Sequence, residues 1–425
     1  PSEVVEWLEE LLQGFQGAGP NRAWCAQTLY PIAKAFLAQE VIWRVSSAKG
    51  KGPEDWETAI ANFGAYFGIN RRLFLARGGE LLYLQICNAL STPPASVAEL
   101  VAKLQQADPG SVSPDEADPR RLYASLQAGL SGLAESSVPA FERLVETIED
   151  LDPETQRLLS REAEGDQGWL ACEWCPRDSW QEGYLFAIEL NRVLRASLGP
   201  VQRLDMLMMG CALQVLRSLC AQSARYADQV TRAKNPLGYA WVFAPMENAE
   251  QRARLASQRS LQRVQVLIQQ ALRIPALDEN AQRSVNPPRD RLYTEADSKY
   301  GHKLFLSIGK RLGLIIPKRG AGARFVMTDA LLRYLVLALL APGERCTYEA
   351  FLARLHAHYG IAVQGAPLEL ANAWVGLGAA KATPTSDGAW LLEMLRASGF
   401  LTDLSDACAV VKNTYAPLAA KGEHA

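Results

Sequence analysis

The sequence predicts a mainly α protein, with a multi-helical N-terminal region followed by C-terminal units that carry short β-hairpins. Three observations predict this fold class. Apolar residues recur at helical spacing along most of the 425 residues. The most apolar part, at about 183–220, contains two long helical patterns. Two β-prone runs surround a glycine-containing turn near 314–327, and a similar pair occurs near 400–412.

The N-terminal elements follow from periodicity and from residues that end helices. Helical patterns are predicted at 3–15, about 23–47 with Pro31 as a break, 53–67 and about 70–90. Ser96 followed by Glu99 has the pattern of a capping box, so a further helix is expected to begin there and to end near Gln106.

The central elements begin after a stretch rich in Pro, Asp, Gly and Ser, 107–120, which we interpret as a linker. Helices are predicted at about 121–135, 138–150 and 153–162. The two long helices within 183–220 are apolar on more than one face, which is typical of a buried centre. A polar helix at about 247–272, rich in Gln and Arg, has the composition of an exposed connector.

These breaks in composition predict five segments. They are an N-terminal helical domain (1–106), the linker (107–120), a central helical domain (121–285), a basic unit (286–345) and a C-terminal unit (346–425).

Composition favours a cytoplasmic protein that does not enter a membrane. Hydrophobic residues make up 48% of the chain, and no run of 18 apolar residues occurs. The acidic, amphipathic start does not have the pattern of a signal peptide. The eight cysteines lack the dense spacing of a disulfide scaffold. The excess of Arg over Lys, 32 to 12, together with abundant Ala, favours a bacterial source.

The net charge of −2 conceals a basic segment. Residues 281–425 contain 17 Lys and Arg against 12 Asp and Glu, whereas residues 1–280 contain 27 against 34. Within 283–324 there are ten cations and three acids. Because local charge steers a polyanion, this segment is the candidate surface for nucleic acid.

The basic segment has a defined order of elements. Thr294 to Asp297 has the pattern of a helix cap, and the helix after it is predicted to place an apolar stripe opposite its cations. Gly313 suits the end of that helix. Two β-prone runs then enclose a short turn with Lys318 and Arg319 at its tip.

Helix, glycine, strand, basic turn and strand resemble the end of a winged-helix DNA-binding domain. The resemblance covers roughly 290–345 and concerns architecture. It implies that the helix enters the major groove and that the hairpin lies on phosphates. It implies double-stranded DNA as a partner, contacted by Lys299, Lys303, Lys310 and Arg311 of the helix and by Lys318, Arg319 and Arg324 of the hairpin.

Two other interpretations of the basic segment stay open. It can be a surface that meets an acidic protein partner, or a solvated face with no special role. A second unit of helices, in which Thr328 and Thr347 are expected to be N-caps, ends in a hairpin at 400–412 and is also winged-helix-like, but it is not notably basic. Packing or dimerisation is its expected role.

Few residues have the pattern of a catalytic or metal site. Cys172 and Cys175 form a lone CxxC, whereas a structural zinc site needs four ligands, so packed thiols are the preferred interpretation. His356 and His358 would point to different sides of a helix. The nucleotide-binding and hydrolase motifs G-x-x-x-x-G-K-[ST], G-x-S-x-G and H-E-x-x-H are absent from the sequence.

The sequence therefore predicts a protein that binds and does not catalyse, without a cofactor. The preferred function is a DNA-binding or adaptor subunit of a bacterial multi-protein assembly that handles DNA, of which anti-phage defence complexes are one class. Other protein subunits are expected partners, and a homo-oligomer is one alternative state. The competing hypothesis is a helical scaffold that recruits an enzyme without contacting DNA.

Overall fold

A computed structural model describes residues 41–43, 67–69, 82, 85–134, 177–227, 237–283, 287–377, 389–405 and 408–418. Helices account for most of these residues, and the strands are two to five residues long. The predicted mainly α class is therefore confirmed.

The chain divides into two compact units. One comprises Pro1–Cys87, Ala124–Arg177 and Gly199–Cys211, and the other comprises Asn88–Tyr123, Asp178–Leu198 and Ala212–Ala425. In the first, β1 (Val41–Trp43) and β2 (Phe67–Ile69) pair antiparallel. The residues that carry the candidate site all belong to the second unit. The five segment boundaries stay predictions.

The described helices up to residue 226 are shared between the two units. They are α1 (Pro94–Ala107), α2 (Pro114–Ala117), α3 (Pro119–Ala134), α4 (Trp180–Arg195) and α5 (Pro200–Tyr226).

The later helices belong to the second unit. They are α6 (Gln251–Ala271), α7 (Pro275–Arg283), α8 (Arg289–Glu295), a π-helix (Ala296–Tyr300), α9 (His302–Arg311), α10 (Asp329–Leu339), α11 (Tyr348–Tyr359), α12 (Gly365–Trp374) and α13 (Ala389–Ala397).

The strands of the second unit form small sheets. They are β3 (Trp241–Val242), β4 (Ile315–Ile316), β5 (Arg324–Phe325), β6 (Arg345–Thr347), β7 (Ile361–Ala362), β8 (Leu401–Ser405) and β9 (Cys408–Lys412). β3 pairs parallel with β7, β4 pairs antiparallel with β5, and the antiparallel sheet at the C-terminus has the order β6-β9-β8. Both predicted hairpins are therefore present.

The two apolar helices predicted near 183–220 are α4 and α5. Every residue of α4 from Glu182 through Leu194 is buried, and α4 packs against α10. Val201–Tyr226 is the one described helix long and apolar enough to span a membrane, but 67% of its most apolar window is buried within the protein. Such burial is expected of a core helix.

The stretch 107–120, predicted as a linker, is an ordered part of the second unit. Its Glu116 carboxylate is buried and forms an ion pair with Arg192 of α4 at 2.6 Å. Ser113 caps α2 by accepting a hydrogen bond from Glu116 N. The Pro, Asp and Ser content of this stretch therefore supports helix caps and turns.

Helix starts match the sequence patterns in part. Thr328 and Thr347 cap α10 and α11 through their side chains, as expected. The predicted capping box at Ser96 is wrong, because α1 begins two residues earlier at Pro94, which is pre-organised for the first helical turn.

Candidate nucleic-acid interface

The β4–β5 hairpin follows α9 directly because Gly313 ends that helix. Gly313 adopts φ +73°, and a Cβ there would approach Thr328 to 3.0 Å, so glycine is favoured for two reasons. The chain then enters β4, where Ile315 is buried opposite Phe325 of β5. The hairpin therefore starts at a defined angle to the helix.

The base of the hairpin is held by backbone hydrogen bonds from outside it. Ser257 of α6 accepts from Phe325 N at 2.8 Å and donates to Phe325 O at 3.0 Å. Ala244, just beyond β3, donates its N–H to the same carbonyl at 3.2 Å. Since these backbone groups are buried and paired, the position of the base is fixed relative to α6.

Aromatic packing supports the same base. The rings of Trp241, Phe305 and Phe325 lie with centroids 5.7 to 6.2 Å apart, and Phe243 stacks on Phe325 at 6.0 Å. All four side chains are buried. Phe305 comes from α9, so this cluster joins the helix to the hairpin.

The hairpin tip is solvent-exposed, as predicted. Lys318 and Arg319 are both exposed, and so are residues 320–322. The two cations therefore lie where a large charged partner can approach without displacing any packed residue.

The cations of α9 lie on the side opposite its buried stripe. Lys303 and Lys310 are seven residues, or two helical turns, apart and so share one side, while Phe305 and Ile308 are buried on the other. Lys303 and Arg311 are exposed and Lys310 is half-buried. The predicted apolar stripe is confirmed at its two central residues.

Lys299 does not belong to the same helix as Lys303. It lies in the π-helix Ala296–Tyr300, and α9 begins only after Gly301, whose ψ of −135° breaks the helix. The predicted cap at Thr294 to Asp297 is therefore wrong. Both ends of that pattern are helical, and Gly301 is the N-cap of α9.

Arg324 lies at the base of the hairpin and not at its tip. The side chain is half-buried and donates from Nη2 to the Met246 carbonyl oxygen at 3.0 Å. Burial and the nearby charge of Arg254 both lower the pKa of Arg324. This residue fixes the base and contributes less to the open surface than Lys318 and Arg319.

The structure adds cations of α6 that the sequence interpretation left out. Residues 251–277 contain five Arg and no Asp or Glu, and residues 298–328 contain seven Lys and Arg and no Asp or Glu. Arg254 and Arg259 of α6 are exposed, and the Arg263 guanidinium lies 6.0 Å from the centre of the Trp374 ring. The absence of acids from these two segments, which residues 278–297 separate in the chain, was the signal available in the sequence.

The interpretation of 247–272 as an exposed connector is wrong, because one side of α6 is buried. Small and apolar residues make up this side: Ala256, Ser257, Ser260, Leu261, Val264, Leu267, Ile268 and Ala271. α6 contacts β3, β5 and α9. It therefore forms part of the same surface as α9 and the hairpin.

A nearby carboxylate is already paired. Asp297, in the π-helix, accepts from Arg273 at 2.7 Å. Residues 251–277 and 298–328 contain twelve cations and no acid, and the exposed acids Glu247 and Glu250 precede α6, so these elements have an excess of positive charge although the whole chain carries a net charge of −2.

The CxxC cysteines Cys172 and Cys175, the candidate metal ligands, lie outside the described residues. Among the residues that are described, no group of three or more His, Cys, Asp or Glu side chains is arranged to hold a metal ion. Cys220 and Cys346 are thiols and not disulfide-bonded. Burial raises the pKa of the Cys346 thiol to about 12.

Comparison with known proteins adds no relative. No protein-family model matches the chain, and neither a curated protein nor a solved structure matches it.

Proposed function

We propose that the protein is a non-catalytic, DNA-binding or adaptor subunit of a bacterial multi-protein assembly that handles DNA. The observation that carries the proposal is the basic surface of α6, α9 and the hairpin tip, whose segments 251–277 and 298–328 contain no Asp or Glu. Its exposed cations include Lys303, Arg311, Lys318, Arg319 and Arg254. Cations that neutralise phosphates release counterions from DNA, and this release is the main source of sequence-independent affinity.

The order of elements supports a winged-helix mode of binding. In such domains a helix enters the major groove and the hairpin after it contacts phosphates. α9, Gly313 and the β4–β5 hairpin have this order, and the hairpin cations Lys318 and Arg319 lie at its tip. One feature departs from a three-stranded antiparallel wing, because the bridge between Ala244 and Val326 is parallel.

We propose a different role for residues 329–412, which also have the order of a winged helix. A helix (α10) precedes a strand (β6), the described helices α11, α12 and α13 follow, and β8 and β9 form a hairpin whose second strand pairs with β6. The helix before this hairpin, α13, carries one acid and one base, Glu393 and Arg396. A surface without excess positive charge suits a protein partner better than DNA.

The C-terminal module 329–412, with six Lys and Arg against eight Asp and Glu, also favours the second candidate function, a helical scaffold that recruits an enzyme without contacting DNA. In this alternative the basic surface meets an acidic protein. The proposal further places the protein in the cytoplasm of a bacterium. It also includes a role within an anti-phage defence complex, as one class of such assemblies.

Salt-dependent binding to duplex DNA tests the proposal. Fluorescence anisotropy of a labelled duplex is measured against protein concentration at several salt concentrations. We expect log K to fall linearly with log salt, with a slope of about −0.9 for each phosphate neutralised. Absence of binding at low salt would favour the scaffold. The scaffold would also be favoured if a purified acidic polypeptide bound with the same slope of log K against log salt as the duplex.

A further inference from the structure

A polar groove lies between α6, α9 and the tip of the hairpin. Its volume is about 330 Å³. Gln258, Gln262 and Gln265 of α6 form one wall, and His302 and Leu306 of α9 form the other. Gly322 and Ala323 of the hairpin also line it. Its size is within the range of about 300 to 1,000 Å³ for small-ligand sites.

The groups that line the groove are neutral hydrogen-bonding groups over an apolar floor. Each glutamine amide offers both donors and an acceptor. Gln258 is held in place because its Nε2 donates to Gly322 O at 3.4 Å. His302 Nδ1 is shielded from solvent and has no hydrogen-bond partner. The lining contains no Lys, Arg, Asp or Glu, so the part of an occupant that enters is neutral and has donors and acceptors.

The surroundings of the groove are positively charged. Arg254 is four residues before Gln258 and eleven before Gln265, so helical spacing places it on the same side of α6. Lys303 directly follows His302 and is exposed. An occupant with a neutral part in the groove and negative charge beside it matches both features.

We propose that this groove binds an unstacked nucleobase of a DNA strand, while the phosphates next to that base contact the surrounding cations. This inference rests on the proposed DNA binding. A base has a flat apolar face, which fits against Leu261 and Leu306, and an edge of donors and acceptors that glutamine amides can read. A neutral peptide would match the amides but not the cations around them.

Three probes with one duplex sequence test the inference. The first is blunt, the second has a short single-stranded adenine tail, and the third has an abasic tail of equal length. We expect the adenine-tailed duplex to bind the full chain at least about fivefold more tightly than the other two, because a held base contributes beyond its phosphate. Adenine is chosen because glutamine pairs with its edge.

The double variant Gln262→Leu with Gln265→Leu removes two amides at similar side-chain volume. We expect it to bind the blunt duplex as the wild-type protein does and to lose the preference for the adenine tail. Gln269→Leu, on the same helix but outside the groove lining, is the control and should keep that preference. An unchanged melting temperature shows that both variants fold.

The outcomes separate the two proposals. If the wild-type protein binds the blunt duplex in a salt-dependent way but binds the adenine and abasic tails equally, the groove reads no base and only this inference is overturned. A preference that survives the double variant also overturns it. If the wild-type protein binds none of the three probes, the proposed DNA binding fails as well.

Discussion

Arg192 and Glu116 form a bidentate ion pair that is almost fully shielded from solvent. Nε and Nη2 of Arg192 donate to the two carboxylate oxygens at 2.6 and 2.8 Å, and the side chains are 2% and 3% exposed. The same guanidinium donates to Leu339 O at 2.6 Å and to Ser111 O at 2.7 Å. Burial alone would raise the pKa of Glu116, but the charge of Arg192 and the hydrogen bonds from Arg192 and Ser113 together outweigh it, so the pKa lies below its ordinary value.

Removing one partner of this pair should strongly destabilise the protein. Arg192→Met leaves the Glu116 carboxylate buried without its cation, and we expect a loss of about 3–5 kcal/mol in the free energy of unfolding. Urea denaturation measures it. Asp115→Asn, which removes an exposed ion pair with Arg121, is the control and should cause no measurable loss. If Arg192→Met and Asp115→Asn lowered the free energy of unfolding equally, the buried pair would contribute no more to stability than the exposed pair.

Stability should also fall in mild acid because His358 is neutral in the folded protein. Glu189 pairs with Arg217 at 2.7 Å, so its carboxylate accepts, and Nδ1 of His358 donates to it at 2.8 Å. Burial lowers the pKa of His358 below 6.5, although Glu189 opposes this shift, and the charges of Arg192 and Arg217 add to it.

The sign of the pH effect follows from this lowered pKa. Well above pH 6.5 the histidine is neutral in both states. As pH falls through 6.5 the unfolded chain binds the proton first, so stability decreases until the pH reaches the lower folded pKa. Urea denaturation at about pH 7.5 and about pH 5.5 measures the decrease. His358→Asn, which retains a donor near Nδ1, should reduce the pH dependence. A variant with the full wild-type pH dependence would contradict this assignment.

The core assignment predicts large effects at buried leucines. Leu190, Leu207 and Leu216 are 4%, 2% and 0% exposed, and replacing each with Ala should cost about 2–5 kcal/mol because a cavity remains. Val201 lies on α5, as do Leu207 and Leu216, and is 54% exposed, so Val201→Ala is the matched control. Thermal unfolding compares them. Melting temperatures equal to that of the control would refute the assignment.

The hairpin tip should act on DNA affinity and not on folding. Lys318→Ala with Arg319→Ala removes two exposed cations and retains the glycines of the turn. We expect weaker binding to all duplexes alike, and a slope of log K against log salt that is flatter by up to about two units. Arg345→Ala with Lys412→Ala, exposed cations that face each other in the C-terminal sheet, is the control. An unchanged slope in the tip variant would exclude phosphate contacts there.

Arg254 of α6 tests whether the surface extends beyond the elements predicted from the sequence. Arg254→Ala should flatten the salt slope by about one unit, as expected for one phosphate contact. The same change removes a like charge near Arg324, so folding should be unaffected or slightly improved. Anisotropy titrations and a melting curve measure both effects. If Arg254→Ala had the affinity and salt slope of the wild-type protein, the interface would be limited to α9 and the hairpin.

Structural features could be predicted from the sequence when the residues that cause them lie close together in the chain. Thr328 and Thr347 cap helices through hydrogen bonds three residues away, and Gly313 ends α9 within its own turn, so all three could be identified. Glu116 could not, because the cation that makes its stretch part of the core lies 76 residues further along the chain.

The packing of α6 was missed for a different reason. Its buried side includes Ser257 and Ser260, which hydropathy counts as polar. Ser260 accepts from Val242 N at 3.0 Å and donates to Ala240 O at 3.0 Å, and Ser257 forms an equivalent pair of bonds with Phe325. A serine that satisfies backbone groups is compatible with burial, but periodicity alone does not reveal it.

The short segment around β3 has hydrogen bonds on two sides. Trp241 N and Phe243 N donate to Gly360 O and Ala362 O of the C-terminal module, and Ala244 N donates to Phe325 O of the hairpin. Turning the hairpin relative to α11 therefore requires breaking buried backbone bonds. If the C-terminal module binds a partner protein, that partner would therefore be held at a fixed distance and angle from a bound duplex, because the connection between the two sites is rigid and not a flexible linker.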